Sequence, residues 1–319
     1  MTAPRPQPPT DSVAESPIGS SPALSPEPMA EDWAGPDPLT ALLLGKARRC
    51  IAAGHRPVFG LNGPVGAGKT TLSQRLRGAF DAAGLQLAVA SIDDAYLPLQ
   101  LRRRRMAGNP FGVSRVPPGS HDPGSLLDPI QNWRALPWRA PGVATAALQL
   151  PRFDKRICGG EGDRVADWQG EADALLLEGW MLGCRRLPLA SLRAWPGLAA
   201  LDERQRRWLV RCNRSLQAYA DLWDAINALV VLWPRDWRSP RRWRLQAEAR
   251  QRRAGGGWLE AVELERIIQA TLKSLPPELH QQPLLATACW VRELDGRRRC
   301  LWQGSGASMT GRLAQSSSV

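Results

Sequence analysis

Eight consecutive residues concentrate the chemistry of this chain: Gly63-Pro64-Val65-Gly66-Ala67-Gly68-Lys69-Thr70. The pattern is G-x-x-x-x-G-K-[ST], a loop that cradles the phosphates of a nucleoside triphosphate. Its glycines let the backbone adopt positive φ and bring N–H groups against phosphate oxygens. A helix starting at Lys69 adds the partial positive charge of its N-terminus. Lys69 reaches the β- and γ-phosphates, and Thr70 offers its hydroxyl to Mg²⁺. A glycine turn with a chance lysine is the competing reading. It fits poorly with a chain whose lysines are Lys46, Lys69, Lys155 and Lys273 alone.

Three carboxylates sit where such a loop needs them. Glu178 closes the apolar run Ala174–Leu177, and an acid at the end of a neighbouring strand helps hold Mg²⁺, often through water. Asp93 and Asp94 follow the run Leu85–Ser91. The carboxyl ends of parallel strands line a ligand crevice, where a carboxylate can take the proton of an attacking hydroxyl. Either aspartate could equally be a helix cap or turn residue, and position does not separate them. Arg241, Arg242, Arg244 and Arg250 share the segment 239–250. Guanidinium forks match phosphate oxygens, although a solvated basic helix face reads the same way.

The elements that must position these groups alternate between strand and helix. Leu42, Leu43, Ala47 and Cys50 suit a first amphipathic helix, and Pro57–Leu61 is a short buried strand. Leu72, Leu76, Phe80 and Ala83 recur at helical spacing, with Gly84 placed to end that helix. Further strands are expected at Leu85–Ser91, Ala174–Leu177, Leu229–Trp233 and Leu284–Val291. Helices are expected at Ser215–Ala228, 239–252 and Trp258–Leu275. Residues 98–150 are irregular and rich in Pro and Gly. Strand–helix–strand repetition predicts an α/β fold with a doubly wound, mainly parallel sheet and flanking helices. Residues 1–38 and 304–319 read as disordered tails around a domain at 39–303.

Composition narrows the partners. The formal charge is +12, nearly all from arginine in short dispersed clusters, so a nucleic-acid partner is not favoured. No apolar run reaches membrane-spanning length, and no basic-then-apolar leader is present, which points to a cytoplasmic protein. The six cysteines lack paired spacing and read as reduced thiols without zinc.

The strings that accompany the loop resemble the plant and cyanobacterial type of D-glycerate 3-kinase, a P-loop kinase family similar to phosphoribulokinase, uridine kinase and pantothenate kinase. They include Ser91-Ile92-Asp93-Asp94-Ala95-Tyr96-Leu97, Gly119-Ser120-His121-Asp122, and Leu150-Pro151-Arg152-Phe153-Asp154-Lys155 with Gly162-Asp163-Arg164. Glu178-Gly179-Trp180-Met181-Leu182-Gly183, the stretch Asn213 to Asp224 and Arg242-Trp243-Arg244-Leu245-Gln246-Ala247-Glu248 complete the set. The resemblance implies a P-loop NTPase fold, ATP and Mg²⁺ as cofactors, and a nucleotide loop extending to Thr71. It implies Asp93 as the catalytic base. Asp94, Tyr96, His121, Asp122, Arg152, Asp154 and Arg164 fall on the acceptor side, and Arg242, Arg244 and Arg250 on an arginine-rich lid. It implies transfer to D-glycerate, giving 3-phosphoglycerate, a photorespiratory step in a photosynthetic organism. Ala95 stands where relatives carry an aromatic. A kinase for a nucleoside or pantothenate-like alcohol, an ATP-dependent nucleic-acid-binding protein and a catalytically weak regulatory relative are the alternatives.

Overall fold

The apolar runs become buried strands in the computed structural model, which describes residues 37–137, 147–253 and 259–316. In chain order the strands are β1 (Val58–Asn62), β2 (Leu87–Ser91), β3 (Ala147–Asp154), β4 (Asp163–Glu171), β5 (Ala174–Gly179), β6 (Ala228–Pro234), β7 (Trp290–Leu294) and β8 (Cys300–Gly304). One six-stranded sheet has the order β2-β5-β1-β6-β7-β8, parallel except for β8 at its edge. β3 and β4 form a separate antiparallel pair. β1 and β6 are buried at every position, as strands covered on both faces must be.

The helices are α1 (Pro38–Ala52), α2 (Lys69–Ala82), α3 (Leu99–Arg105), α4 (Gly124–Ala135), α5 (Leu189–Ala194), α6 (Glu203–Ser215), α7 (Ala220–Asp224), α8 (Ser239–Arg253), α9 (Ala261–Ser274), α10 (Pro277–His280), α11 (Leu284–Thr287) and α12 (Gly306–Ser316). They divide the core into two layers. On one face Leu39 and Leu43 of α1 and Leu72, Leu76 and Phe80 of α2 pack with Phe59, Leu61 and Leu176. On the other, Leu126, Ile130 and Trp133 of α4 and Trp208 of α6 pack with Val58, Leu175 and Leu177. Successive residues of β1 and β5 thus face opposite layers, as the period of two requires. None of the described helices is long and apolar enough to cross a membrane.

Several expectations are corrected. Residues 304–316 are not a loose tail: α12 buries Met309 at 1% exposure, and Ser305 Oγ accepts from the Ser308 backbone N–H at 3.2 Å. The apolar side of that helix is hidden in a Ser/Gly-rich composition. The run Leu284–Val291 splits into α11 and the start of β7, because the Cys289 N–H must donate to Leu229 O before pairing with β6 begins. The helix expected at 215–228 is a one-turn 3-10 segment followed by the short α7, while α6 occupies a stretch with no expected element. The β3–β4 hairpin and β8 were not foreseen. Of the expected tail at 1–38, residues 1–36 lie outside the described residues, while Asp37 stands at the N-cap of α1 and Pro38 opens it.

Candidate active site

The strand order brings the motifs together. β1 lies between β5 and β6, and β5 also pairs with β2. In register, Glu178 faces Leu61 on one side and Ser91 on the other. The phosphate-binding loop, Glu178 and the Asp93 turn therefore emerge side by side at the carboxyl ends of neighbouring strands. They open onto a cleft of about 350 Å³, bounded among others by Lys69, Asp93, Lys155, Glu178, Arg244 and Arg298. Tyr96 and His121 buttress Asp93 from behind.

The loop runs Gly63–Thr70 from β1 into α2. The Gly63 N–H donates to Gly179 O at 3.1 Å, which pins the loop to the end of β5. Gly66 has φ of 81°, and a Cβ there would lie 2.8 Å from Trp243 Cβ on α8. Pro64, Val65 and Ala67 complete the curve, with Ala67 buried beneath it. Lys69 Nζ donates to Gly63 O at 3.0 Å and Pro64 O at 3.2 Å. Burial pulls the Lys69 ammonium below its usual pKa, while Glu178 and Asp93 oppose that shift. Burial in turn raises the Glu178 carboxyl, with Lys69 opposing.

The chemistry of Mg²⁺ fits the donors present. Glu178 Oε2 is buried without a hydrogen-bond partner among the described residues, and Thr70 at the start of α2 is exposed. Among the described residues no cluster of three or more His, Cys, Asp or Glu could hold a metal. Mg²⁺ needs none, since it is held by one or two protein oxygens with phosphates and waters.

Asp93 and Asp94 separate by their partners. They lie in a 3-10 turn, Ile92–Ala95, closed by a capping box. Ser91 Oγ accepts from the Asp93 N–H at 3.2 Å, and Asp94 Oδ2 accepts from the Ser91 N–H at 3.0 Å. Arg152 Nη1 donates to the same Asp94 oxygen at 2.8 Å. Asp94 is thereby consumed in holding the turn. Asp93 faces the cleft, where Lys155 Nζ meets Oδ2 at 2.6 Å and His121 Nε2 lies 3.8 Å from Oδ1. Burial works to raise the Asp93 carboxyl, but the Lys155 ammonium and then His121 hold it well below the usual carboxylate range.

Tyr219 Oη accepts from the Gly119 N–H at 2.9 Å and lies 3.0 Å from His121 Nδ1. Ser120 Oγ spends its proton on Pro117 O at 2.6 Å. The Nδ1 side of the ring is thus anchored to Tyr219, which turns Nε2 toward Asp93. Burial lowers the imidazole pKa and keeps it neutral. Tyr96 stacks on His121 at 4.3 Å between ring centroids, and its hydroxyl accepts from the Val116 N–H at 3.1 Å. Val116 has φ of 86°, a costly conformation for a β-branched residue.

The other expected acceptor-side residues brace this group. Arg164 Nε donates to Tyr96 O at 2.8 Å, and Nη2 donates to Ser125 Oγ at 3.0 Å while lying 3.7 Å from Asp122. The Asp122 N–H donates to Ala95 O at 2.8 Å. Asp154 is taken by Arg156, which holds its pKa at about 2. Arg152, Asp154 and Arg164 thus have protein partners of their own. On α8, Arg244 and Arg250 border the cleft, but Arg242 donates to Gly296 O instead. Two residues along a helix turn a side chain by about 200°, so Arg242 and Arg244 cannot share a face. Thr71 is half-buried on the first turn of α2.

Two cleft residues had no expected role. Lys155 projects from the tip of the β3–β4 hairpin; its rarity and its place at the end of the Leu150–Lys155 string were the available signals. Arg298 sits at φ 66° in the β7–β8 turn, with Nη1 3.4 Å from Gly66 O and Nη2 3.2 Å from Gln246 Oε1. It lies far along the chain from every motif.

No protein-family model matches the chain. It is 31% identical over 237 residues to the chloroplastic D-glycerate 3-kinase of Arabidopsis thaliana, a match covering 70% of this chain and 49% of that protein. It is 28% identical over 207 residues to the uncharacterized kinase mug58 of Schizosaccharomyces pombe, covering 60% of this chain and 69% of that one. The solved D-glycerate 3-kinase of Cryptococcus neoformans superposes with a TM-score of 0.69 at 25% identity, over 84% of this chain and 97% of its own. The chain spans about half the length of the Arabidopsis protein. It resembles D-glycerate 3-kinases in sequence and has the fold of a P-loop kinase.

Proposed function

We propose that this chain, a P-loop kinase by fold, is an ATP-dependent phosphotransferase that converts D-glycerate and ATP to 3-phosphoglycerate and ADP. The observation that carries the reading is Asp93, a carboxylate held ionised in the same cleft as the phosphate-loop lysine, in a chain similar to D-glycerate 3-kinases. Lys69 and the loop from Gly63 to Thr71 bind the triphosphate. Thr70 and Glu178 would hold Mg²⁺, which when bound neutralises charge on the β- and γ-phosphates. Arg244 and Arg250 offer guanidinium charge to the transferred group.

Asp93 accepts a hydrogen bond from the acceptor hydroxyl and orients it for in-line attack. As the acceptor oxygen bonds to the γ-phosphorus, the bond to the ADP oxygen breaks and the hydroxyl proton passes to Asp93. A weak base suffices, because the loose transition state of phosphoryl transfer leaves the proton on the hydroxyl until late. His121 and Tyr96 fix the Asp93 side of the cleft, while Asp94, Arg152, Arg164 and Asp122 hold the turn that carries it. The cysteine usage keeps the cytoplasm as the proposed compartment.

Coupled ADP release tests the proposal across D-glycerate, glycerol, uridine and pantothenate. D-Glycerate should give the highest kcat/KM. Asp93→Asn should lower kcat by about 10²–10⁴-fold, the range for a lost general base. Lys69→Ala should abolish turnover. Near-normal turnover in Asp93→Asn would remove Asp93 from its role, and a preference for uridine or pantothenate would replace the acceptor.

A further inference from the structure

An acceptor as small as D-glycerate restricts where its carboxylate can be received. A single carbon separates the carboxyl carbon from the carbon bearing the reacting hydroxyl, so their oxygens lie roughly 3–5 Å apart at ordinary bond lengths. The cation that reads the acid must therefore stand within a few ångströms of the carboxylate that takes the hydroxyl proton.

Most cations around Asp93 are committed elsewhere. Arg152 is held by Asp94 and lies over the Trp168 ring at 5.6 Å. Arg164 is spent on Tyr96 O and Ser125. Arg102 is wholly buried, donating to Leu97 O, Glu161 O and Gly162 O at 2.7 Å each. Lys155 differs in each respect. Its ammonium lies 2.6 Å from Asp93 Oδ2, its side chain is 54% exposed, and it borders the cleft from a hairpin tip. A half-exposed lysine pair is held by little net energy, and its flexible stem lets the charge change partners.

We propose that Lys155 selects an acidic acceptor by exchanging partners: its ammonium leaves Asp93 Oδ2 for the acceptor carboxylate, and the vacated oxygen receives the acceptor hydroxyl. The inference rests on the D-glycerate reading above. An acid replaces the ion pair it breaks. Glycerol and water must break it without compensation, so both are disfavoured at Asp93, which also restrains wasteful hydrolysis of ATP.

The test is the ratio of kcat/KM for D-glycerate to that for glycerol, in the wild type, Lys155→Met, Lys155→Arg and Arg115→Gln. Arg115 is the rival cation, on the loop that reaches Tyr96 through Val116. Lys155→Met should lower kcat/KM for D-glycerate by about 10- to 100-fold, mostly through KM, as expected for one lost charged hydrogen bond. The value for glycerol should hold or rise, and Lys155→Arg should recover part of the loss. Binding of MgADP, followed by intrinsic tryptophan fluorescence, controls for an intact nucleotide site. An equal fall for both acceptors would overturn the proposal, assigning Lys155 to the phosphoryl group. So would an unchanged ratio in Lys155→Met beside a collapsed one in Arg115→Gln. Wild-type turnover of D-glycerate tests the substrate reading separately. If another hydroxy acid proves preferred, that reading falls, while loss of preference for that acid over its alcohol in Lys155→Met still supports Lys155. A wild type that prefers uncharged acceptors overturns both.

Discussion

Burial works against the charges of Lys69, Glu178 and Asp93 alike, and each group is answered by a neighbour within the same cleft. That mutual support explains how three ionisable groups share a small space without a dedicated counter-ion for each. His280 shows the opposite solution. It is buried among apolar groups, with Nε2 3.2 Å from Asn213 Oδ1, and burial lowers its pKa to about 4. Above the ordinary imidazole pKa neither folded nor unfolded chain carries that proton. As pH falls below about 6.5 the unfolded chain takes it up, while the folded chain refuses until about pH 4. Stability is therefore lost across that interval, by up to about 3 kcal/mol from this residue. Chemical denaturation at pH 7 and pH 4.5 should show a smaller acid loss in His280→Gln than in the wild type. An identical acid loss in both would mean that His280 is not held neutral.

At the scale of elements, α8 and the phosphate loop are one packed unit. Trp243 is fully buried against Gly66, and its Nε1 donates to Gly296 O at 2.9 Å in the β7–β8 turn. The arginines of α8 that border the cleft, Arg244 and Arg250, are thus positioned by the packing of Trp243 on the same helix. Gly66→Ala would place a methyl 2.8 Å from Trp243 Cβ and 3.0 Å from Trp243 C, at a φ of 81°. Gly68→Ala would meet nothing within 4 Å and would incur the positive-φ penalty alone, about 1 kcal/mol. Gly66→Ala should therefore lower the thermal midpoint more than Gly68→Ala in the ligand-free protein. Equal shifts measured by calorimetry would show that α8 does not bear on the loop. The helix pattern of 239–252 was readable, but the face it turns to the cleft was not. That orientation depends on Trp243 finding the loop, a contact between residues distant in sequence.

At the scale of the molecule, part of the arginine content behind the net charge of +12 is architectural. Arg56 donates to Leu136 O at 2.7 Å, Arg134 to Ala225 O at 2.8 Å, and Arg292, 4% exposed, to Asp37 at 2.6 Å. These guanidinium groups satisfy carbonyls and acids at the ends of elements. The chain also closes on itself at its C-terminal end, where Met309 of α12 enters the core layer that holds Trp180 and Val291. Met309→Ala should cost about 2–4 kcal/mol in urea unfolding, the usual range for emptying a buried site. A change below about 0.5 kcal/mol, as at an exposed position, would return residues 306–316 to a loose tail.

The sequence alone determined the phosphate loop, the parallel α/β layering and the strand-end carboxylates, because each is written in local spacing: glycines at a turn, apolar runs, acids at their ends. It also carried the resemblance to D-glycerate 3-kinases. The resemblance favoured Asp93 over Asp94, but only tertiary structure supplies the physical reason, since the two are neighbours with the same chemistry until Arg152 claims Asp94 and Lys155 meets Asp93. It likewise decided that Arg164 braces a turn and that Lys155 and Arg298 reach the cleft. Those roles depend on strand order and hairpin placement, which join residues tens of positions apart and leave no periodic trace in the chain.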